Sequence, residues 1–452
     1  MGLRFGTDGI RGLANAELTP ELALALGRAA SRVLGADASH ARVAVGSDTR
    51  RSGPLLFGAL CSGIAAEGLD VVDLGVVPTP AVALRAQRDN IVGAMISASH
   101  NPFEDNGIKF FAPGGLKLPD SVEAMIELEL DALIDGRADP HVRVGADVGR
   151  VTSDSAFLDS YVAHVIEALE ERRLVGLRVV LDTANGASAL AAPQVFRALG
   201  ADVIVLNDAP DGTNINADCG STHPEALRAA VIAHGAQMGF AFDGDADRML
   251  AVDASGTLVD GDQILAMLAV DRRERGRLAG HTVVVTVMTN LGFRLAMADH
   301  GVSVVDTAVG DRYVLEAMLA GGFVLGGEQS GHVINADIAT TGDGTLSAAL
   351  VADLVVRSGR TLADHASVME RLPQVLRNVK GVERSGLAGA EELWAEVRAV
   401  ESELSGRGRV LLRPSGTEAL VRVMVEAPTA DAAAIAAARL CAMVERVLGP
   451  AV

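Results

Sequence analysis

Aromatic side chains are scarce: one Trp, two Tyr and eleven Phe stand among 452 residues, while 49% of the chain is hydrophobic. Its cores must therefore be built from Ala, Val and Leu. Cysteine is scarcer still. Cys61, Cys219 and Cys441 form an odd, widely spaced set with neither metal nor redox spacing, which points to a reducing cytoplasm. No uncharged apolar run of about 18 residues occurs, so the chain is not expected to span a membrane. The opening MGLRFGTDGIRG lacks the apolar centre of a signal peptide, and Gly6 stands where a myristoylation signal wants Ser or Thr. Positive charge is short as well, 39 Lys plus Arg against 58 Asp plus Glu, for a formal charge of −19. That balance argues against nucleic acid or an anionic membrane as partner. An anionic small substrate stays compatible, because exposed charge is screened beyond roughly 8 Å at physiological salt.

What the chain does have is a pattern repeated three times. A β-branched run, a helix-like run, a second run opening with Gly and a third run that stops abruptly appear first as RVAVGSDTR (42–50), GLDVVDLG (68–75) and VGAMISASHNP (92–102). They recur as RVVLDTANG (178–186), GADVIVLND (200–208) and MGFAFDGDADR (238–248), then as TVVVTVMTN (282–290), GVSVVDTAVG (301–310) and GFVLGGEQSGH (322–332). Val- and Ile-rich runs alternating with helical segments predict α/β units, whose ligands bind beyond the strand carboxyl ends. SASHNP, DGDADR and GEQSGH are thus expected at one cleft. The length suits three or four domains. Their limits are read as 1–150, 151–252, 253–369 and 370–452, the last an α+β piece without the repeat.

Ser99 ends a buried run where small Ala98 leaves room and His100, Asn101 and Pro102 set a turn. Such a site presents a hydroxyl at a cleft and makes Ser99 the candidate phosphoryl carrier, although SASHNP alone reads more readily as a plain turn. NGIK (106–109) adds Lys109, suited to stabilising a phosphate or exchanging a proton, where a lone loop lysine is usually only solvated. DGDADR sets Asp243, Asp245 and Asp247 at alternate positions between apolar strands. Three crowded carboxylates need a cation, and an all-oxygen set suits Mg²⁺. An EF-hand is excluded, since its sixth position is Arg248 and its twelfth Ala254. In GEQSGH, Glu328 and Ser330 suit neighbouring sugar hydroxyls, and His332 is either a proton shuttle or a structural histidine. RPSGTE (413–418) joins Arg413 to a Ser-Gly-Thr turn with Arg422 on the next strand, an anion nest fit for phosphate.

With FGTDGIRG (5–12), SASHNP, NGIK, DGDADR, GEQSGH and RPSGTE in this order, the chain resembles the α-D-phosphohexomutases nearly end to end, with none of these motifs broken. The GTDGIRG opening and Gln329 resemble the glucosamine branch. Mannose and glucose relatives often carry Met at the latter position and Lys ahead of Gly310, where this chain has Ala308 and Val309. The resemblance implies a fold of α/β class: three homologous α/β domains with mixed sheets plus a C-terminal α+β domain, heart-shaped around a central cleft. It implies interconversion of glucosamine 6-phosphate and glucosamine 1-phosphate, feeding UDP-N-acetylglucosamine and cell-wall precursors, with the mannose and glucose phosphates as the alternative substrates. Ser99 would be the phosphoserine and, with Asp243, Asp245 and Asp247, a Mg²⁺ ligand. Arg11 and Lys109 would flank the phosphoryl group, with Lys109 a candidate acid/base, His100 and His332 further catalytic candidates, and Arg248 beside the transferring group. Glu328 and Ser330 would read the sugar, and Arg413, Ser415, Gly416, Thr417 and Arg422 would clamp the nonreacting phosphate. Implied too are glucosamine 1,6-bisphosphate or glucose 1,6-bisphosphate as activator, with a homodimer and an activating kinase as candidate partners. Two other classes stay open, a metal-dependent phosphatase and a silent sugar-phosphate sensor.

Overall fold

The computed structural model describes residues 3–6, 8–35, 42–138, 143–414 and 420–450. The first sheet contains β1 (Ile10–Leu13), β2 (Arg42–Ser47), β3 (Asp70–Val76), β4 (Val92–Ile96), β5 (Asp105–Phe111) and β6 (Val151–Ser153), in the order β1-β5-β4-β2-β3-β6. It is connected by α1 (Pro20–Leu34), α2 (Gly53–Ala66), α3 (Thr79–Asp89) and α4 (Asp120–Ile134). After α5 (Phe157–Glu167), the second sheet takes β7 (Arg178–Asp182), β8 (Asp202–Leu206), β9 (Met238–Phe242), β10 (Met249–Asp253) and β11 (Leu258–Val259), with α6 (Ser188–Ala198) and α7 (Glu225–Ala233) between strands. Its order is β11-β10-β9-β7-β8. Next come α8 (Gly261–Glu274), β12 (Thr282–Thr286), α9 (Leu291–Asp299), β13 (Ser303–Thr307), α10 (Asp311–Gly321), β14 (Leu325–Gly327), β15 (Val333–Asn335), α11 (Gly344–Ser358) and α12 (Leu362–Ala366). Here the sheet order is β13-β12-β14-β15. All three sheets are mixed, as expected.

One arrangement recurs in them. The first strand of each repeat, β2, β7 or β12, lies between two parallel neighbours. The third strand, β4, β9 or β14, then reverses into an antiparallel partner, β5, β10 or β15. SASHNP, DGDADR and GEQSGH are these reversals, within residues 97–104, 243–248 and 328–332. Strands covered on both faces must be apolar throughout, and β4, β9 and β12 are buried at every position. Around β2 and β4, Val43, Val45 and Ile96 pack with Leu26, Leu60 and Phe110 in one core.

Two short strands lie just past residues 150 and 252, the expected limits of the first two domains. β6 pairs with β3 through Val71 and Val151, and β11 pairs with β10 through Ala251 and Val259. The first two sheets therefore extend beyond residues 150 and 252. Runs this short carry no period by which a sequence could reveal them. The strand β5 places NGIK in a buried strand rather than a loop.

By compactness the chain divides into two units, 1–288 with 302–367, and 289–301 with 368–452. In the smaller unit, β16 (Gln374–Lys380), β17 (Arg409–Pro414) and β18 (Leu420–Glu426) form an antiparallel sheet in the order β16-β18-β17. Val410, Leu412, Val421, Val423 and Val425 face α13 (Glu391–Glu403) and α14 (Ala430–Leu448) across its core. The helix α9 belongs here: buried Glu426 accepts from the Leu291 amide at 2.9 Å and pairs with Arg409 at 3.0 Å. Among the described residues no helix is long and apolar enough to cross a membrane.

Candidate active site

Strand pairing of β4 ends near Ser97, and Ser99 bends the chain with φ +53°, a left-handed conformation uncommon outside glycine. The Ser99 hydroxyl donates to Asp243 Oδ2 at 2.7 Å, and His100 Nδ1 lies 3.2 Å from the same Oγ. Ser99 is fully buried, whereas the sequence suggested a hydroxyl open at a cleft. The difference arises because Asp243 and His100 close directly over it.

Asp243, Asp245 and Asp247 follow β9, all buried, with one carboxylate oxygen from each within 4.8 Å of the others. Burial, then Asp247 and Asp245, push the Asp243 carboxyl well above its ordinary range. Burial also opposes charge on Asp247, but Lys109, His332 and Arg248 hold that carboxyl well below its usual value. Lys109 is a buried β5 residue, not a loop lysine, and its amine donates to Asp245 Oδ2 at 2.7 Å and Asp247 Oδ2 at 3.3 Å. Burial disfavours its charge, yet Asp245, Asp247 and Asp8 raise it above the ordinary lysine range. Thr79 donates its hydroxyl to Asp245 Oδ2 at 2.6 Å. Asp245 Oδ1 and Asp247 Oδ1 remain buried without a hydrogen bond. Leaving a buried acceptor unmet costs roughly 1–3 kcal/mol. Two such oxygens in an all-carboxylate set fit a hard divalent cation such as Mg²⁺.

Arg248 places Nη1 3.1 Å from His100 Nδ1. Burial, followed by Arg248 and Arg11, pushes His100 down to about 4, leaving a neutral ring whose Nδ1 accepts. Arg11 pairs with Asp8 at 2.9 Å, and Lys117 bridges Asp8, at 2.6 Å, to Asp311. His332 continues this alternation, with Nε2 3.2 Å from Asp311 Oδ2 and Nδ1 3.7 Å from Asp247 Oδ1. Burial would lower its pKa, but Asp311 and Asp247 outweigh it and raise it to about 9. The Gly342 amide also points at Nε2 from 3.1 Å, a contact that suits a neutral ring. The carboxylates of Asp311 and Asp247, one on each side, favour the protonated ring over that contact.

In the third reversal, Glu328 Oε1 accepts from the Gly310 amide at 3.1 Å, and Ser330 lies exposed with Oγ 3.5 Å from Glu328 Oε2. Gln329 turns inward and donates to Asp262 at 3.2 Å. A backbone bridge from Arg248 to His332 joins this reversal to the second. The three motifs are thus contiguous in the larger unit. In the smaller unit Arg413 and Arg422 are register partners on β17 and β18, on the face opposite the valine core. Burial, then Arg422, lowers Arg413, and Arg422 Nε is buried without a hydrogen bond. Neither arginine forms an ion pair among the described residues. Like charges side by side without a carboxylate suit an anion. Ser415, Gly416 and Thr417 lie outside the described residues.

Asp48, Arg50, Thr79 and Asn216 also belong to the surroundings of Ser99 and the aspartates, and the motifs did not reveal them. The first three follow the carboxyl ends of β2 and β3, so the rule used for the third strand of each repeat would have found them.

The chain matches four successive domain families. Residues 2–135, 159–256 and 260–372 match phosphoglucomutase/phosphomannomutase alpha/beta/alpha domains I, II and III, and residues 376–443 match the C-terminal domain. A phosphoglucosamine mutase of Streptomyces avermitilis is 56% identical over 455 residues, covering 99% of this chain and 100% of its own. Among solved structures, a phosphoglucomutase/phosphomannomutase family protein of Burkholderia thailandensis superposes with a TM-score of 0.81 at 25% identity, covering 98% of this chain and 97% of its own. An N-acetylphosphoglucosamine mutase of Aspergillus fumigatus, in complex with GlcNAc-6P and magnesium, shares the fold with a TM-score of 0.70 at 20% identity, covering 99% and 96%. With all four domains matched in sequence order, this chain belongs to the phosphoglucomutase/phosphomannomutase family.

Proposed function

We propose that the chain interconverts glucosamine 6-phosphate and glucosamine 1-phosphate, with Ser99 carrying the phosphoryl group. The observation that carries this reading is the 2.7 Å contact between the Ser99 hydroxyl and Asp243, inside a buried carboxylate triad that fits a divalent cation. The choice of amino sugar rests on the relative from Streptomyces avermitilis and on Gln329.

Phosphorylated Ser99 gives its phosphoryl group to O1 of glucosamine 6-phosphate. The bond from phosphorus to Ser99 Oγ breaks, the bond to O1 forms, and the proton of the O1 hydroxyl passes to the departing serine oxygen. His100 Nδ1, 3.2 Å from Oγ, is within reach of that proton. Lys109 and Arg248 bring positive charge to the place where the transferred oxygens gather. Asp243, Asp245 and Asp247, with a phosphoserine oxygen, would hold Mg²⁺, which offsets charge on the phosphoryl group when bound. Glu328 and Ser330 meet sugar hydroxyls, and Arg413 and Arg422 hold the phosphate that is not reacting. The bisphosphate turns end for end, and Ser99 takes back the other phosphoryl group. Turnover begins once a sugar bisphosphate or a kinase has loaded Ser99, in a cytoplasmic setting.

Purified protein supplied with Mg²⁺ and glucose 1,6-bisphosphate should isomerise glucosamine 6-phosphate faster than the glucose or mannose phosphates, without releasing inorganic phosphate. Ser99→Ala should lower turnover by about 10³-fold or more. Full activity in that variant removes the carrier role. A preference for mannose or glucose phosphate moves the chain to that branch, and net phosphate release makes it a phosphatase.

A further inference from the structure

Ser99 holds its left-handed φ of +53° without the freedom of glycine. Such a conformation costs on the order of 1–3 kcal/mol and persists only where the surroundings over-determine it. What fixes it here is the Ser99 carbonyl. Arg50 Nη2 donates to that oxygen at 3.0 Å, and Asn216 Nδ2, from the loop after β8, donates at 2.9 Å. The same two side chains share a second acceptor, the Asn101 carbonyl, at 2.8 Å and 3.0 Å. Arg50 also reaches the carbonyls of Pro102 and of Asp105, the latter at 3.1 Å. Its side chain is wholly buried, and Asn216 is 8% exposed.

Arg50 is itself held. Asp48 accepts from Arg50 Nε at 2.9 Å and from the Arg50 amide at 3.0 Å. Asp48 also accepts from the Ser97 hydroxyl at 2.6 Å, and Ser97 Oγ accepts from the Ser99 amide at 2.9 Å. Both backbone polar groups of Ser99 are thus tied, the amide through Ser97 and the carbonyl through Arg50 and Asn216. Gly244 presses on the same carbonyl from the carboxylate loop. A Cβ there would come 2.6 Å from Ser99 O and 2.9 Å from Asn216 Nδ2.

We propose that Arg50 and Asn216 are positioning residues, a carbonyl clamp reaching Ser99 from two different sheets' loops and aiming its hydroxyl at Asp243. Neither touches Oγ, so each acts through the backbone. The proposal rests on the reading of Ser99 as phosphoryl carrier. It predicts a loss in transfer without a loss in sugar-phosphate binding, because misaligning the reacting oxygen penalises the transition state and leaves ground-state contacts intact.

The test compares full-length wild type with Asn216→Ala, Asn216→Asp and Arg50→Lys. Three quantities are measured: kcat and KM for glucosamine 6-phosphate, the rate at which Ser99 takes phosphate from glucose 1,6-bisphosphate, and Tm. Asn216→Ala should lower kcat and the loading rate by about tenfold or more, with KM within about twofold. Asn216→Asp should be worse than Asn216→Ala, since a carboxylate would face two carbonyls. Arg50→Lys should follow the same pattern; if it does not fold, the Asn216 pair decides. Wild-type kcat and loading in Asn216→Ala overturn the clamp, as does a fall in kcat matched by an equal fall in folded fraction. Wild-type protein that takes no phosphate on Ser99 overturns the carrier reading and the clamp with it, whereas normal wild-type loading with normal Asn216→Ala loading overturns the clamp alone.

Discussion

Lys109 balances the charge of the aspartate triad. Its ammonium lies 2.7 Å from Asp245 and 3.3 Å from Asp247, and all three groups are buried. Removing one partner of a buried pair while the other stays charged costs about 3–5 kcal/mol. Lys109→Met keeps much of the side-chain volume and discards the charge, so Tm should fall clearly in a chelating buffer. Mg²⁺ should then recover more Tm in the variant than in wild type, because the cation supplies the missing charge. Equal Mg²⁺ responses in a thermal melt would show that Lys109 does not balance the triad. The residue was legible in NGIK, but its setting was not. Only pairing with β4 and β1 makes the segment a buried strand. Ser99 and the three aspartates could be read because polar residues stop an apolar run abruptly. Arg50, just past the end of β2, lay within reach of the same strand-end rule, whereas Asn216 did not, since its partners are backbone carbonyls and a sequence carries no mark of which carbonyl lacks a donor.

At the scale of elements, the Val- and Ile-rich runs disclosed the parallel strands, and the reversals they lead into became candidate sites for that reason. Contacts that set the height of each reversal were hidden, because they depend on close approach between segments distant in sequence. Gly261 is one such contact. It opens α8 behind the Asp260 cap, whose side chain accepts from the Gln263 amide at 3.2 Å. A Cβ on Gly261 would come 2.2 Å from Glu328 O and 2.6 Å from Gly331 N, so α8 and the GEQSGH reversal cannot both keep their places. Gly261→Ala should cost about 1–3 kcal/mol in stability and displace Glu328 and Ser330. KM for glucosamine 6-phosphate should rise several-fold, and the glucose 1,6-bisphosphate concentration that half-loads Ser99 should rise with it, because the same side chains meet the sugar of either. Unchanged KM would mean that the third reversal does not read the sugar.

Across the whole molecule, the four sheets follow chain order as the sequence suggested, but the division into two units does not. Residues 289–301 join the smaller unit because Glu426 and the backbone near Leu372 bind Asn290 and Leu291. Nothing local to TNLGFRLAMAD foretells partners so far along the chain. The units should also differ in their response to cations. The only acidic cluster able to hold a metal among the described residues is the aspartate triad in the larger unit. A ligand that binds the folded state alone stabilises it by RT ln(1 + [L]/Kd), about 2.7 kcal/mol at a hundredfold excess over Kd. At a net charge of −19, however, any salt stabilises to some extent by screening self-repulsion. The decisive comparison is therefore calorimetry in EDTA, in Mg²⁺, and in NaCl of equal ionic strength, for wild type and Asp245→Asn. Mg²⁺ should raise the main transition of wild type well beyond NaCl and lose much of that advantage in the variant, with turnover absent in EDTA and restored by Mg²⁺. If NaCl matches Mg²⁺ in wild type, the effect is screening and the triad is not a metal site.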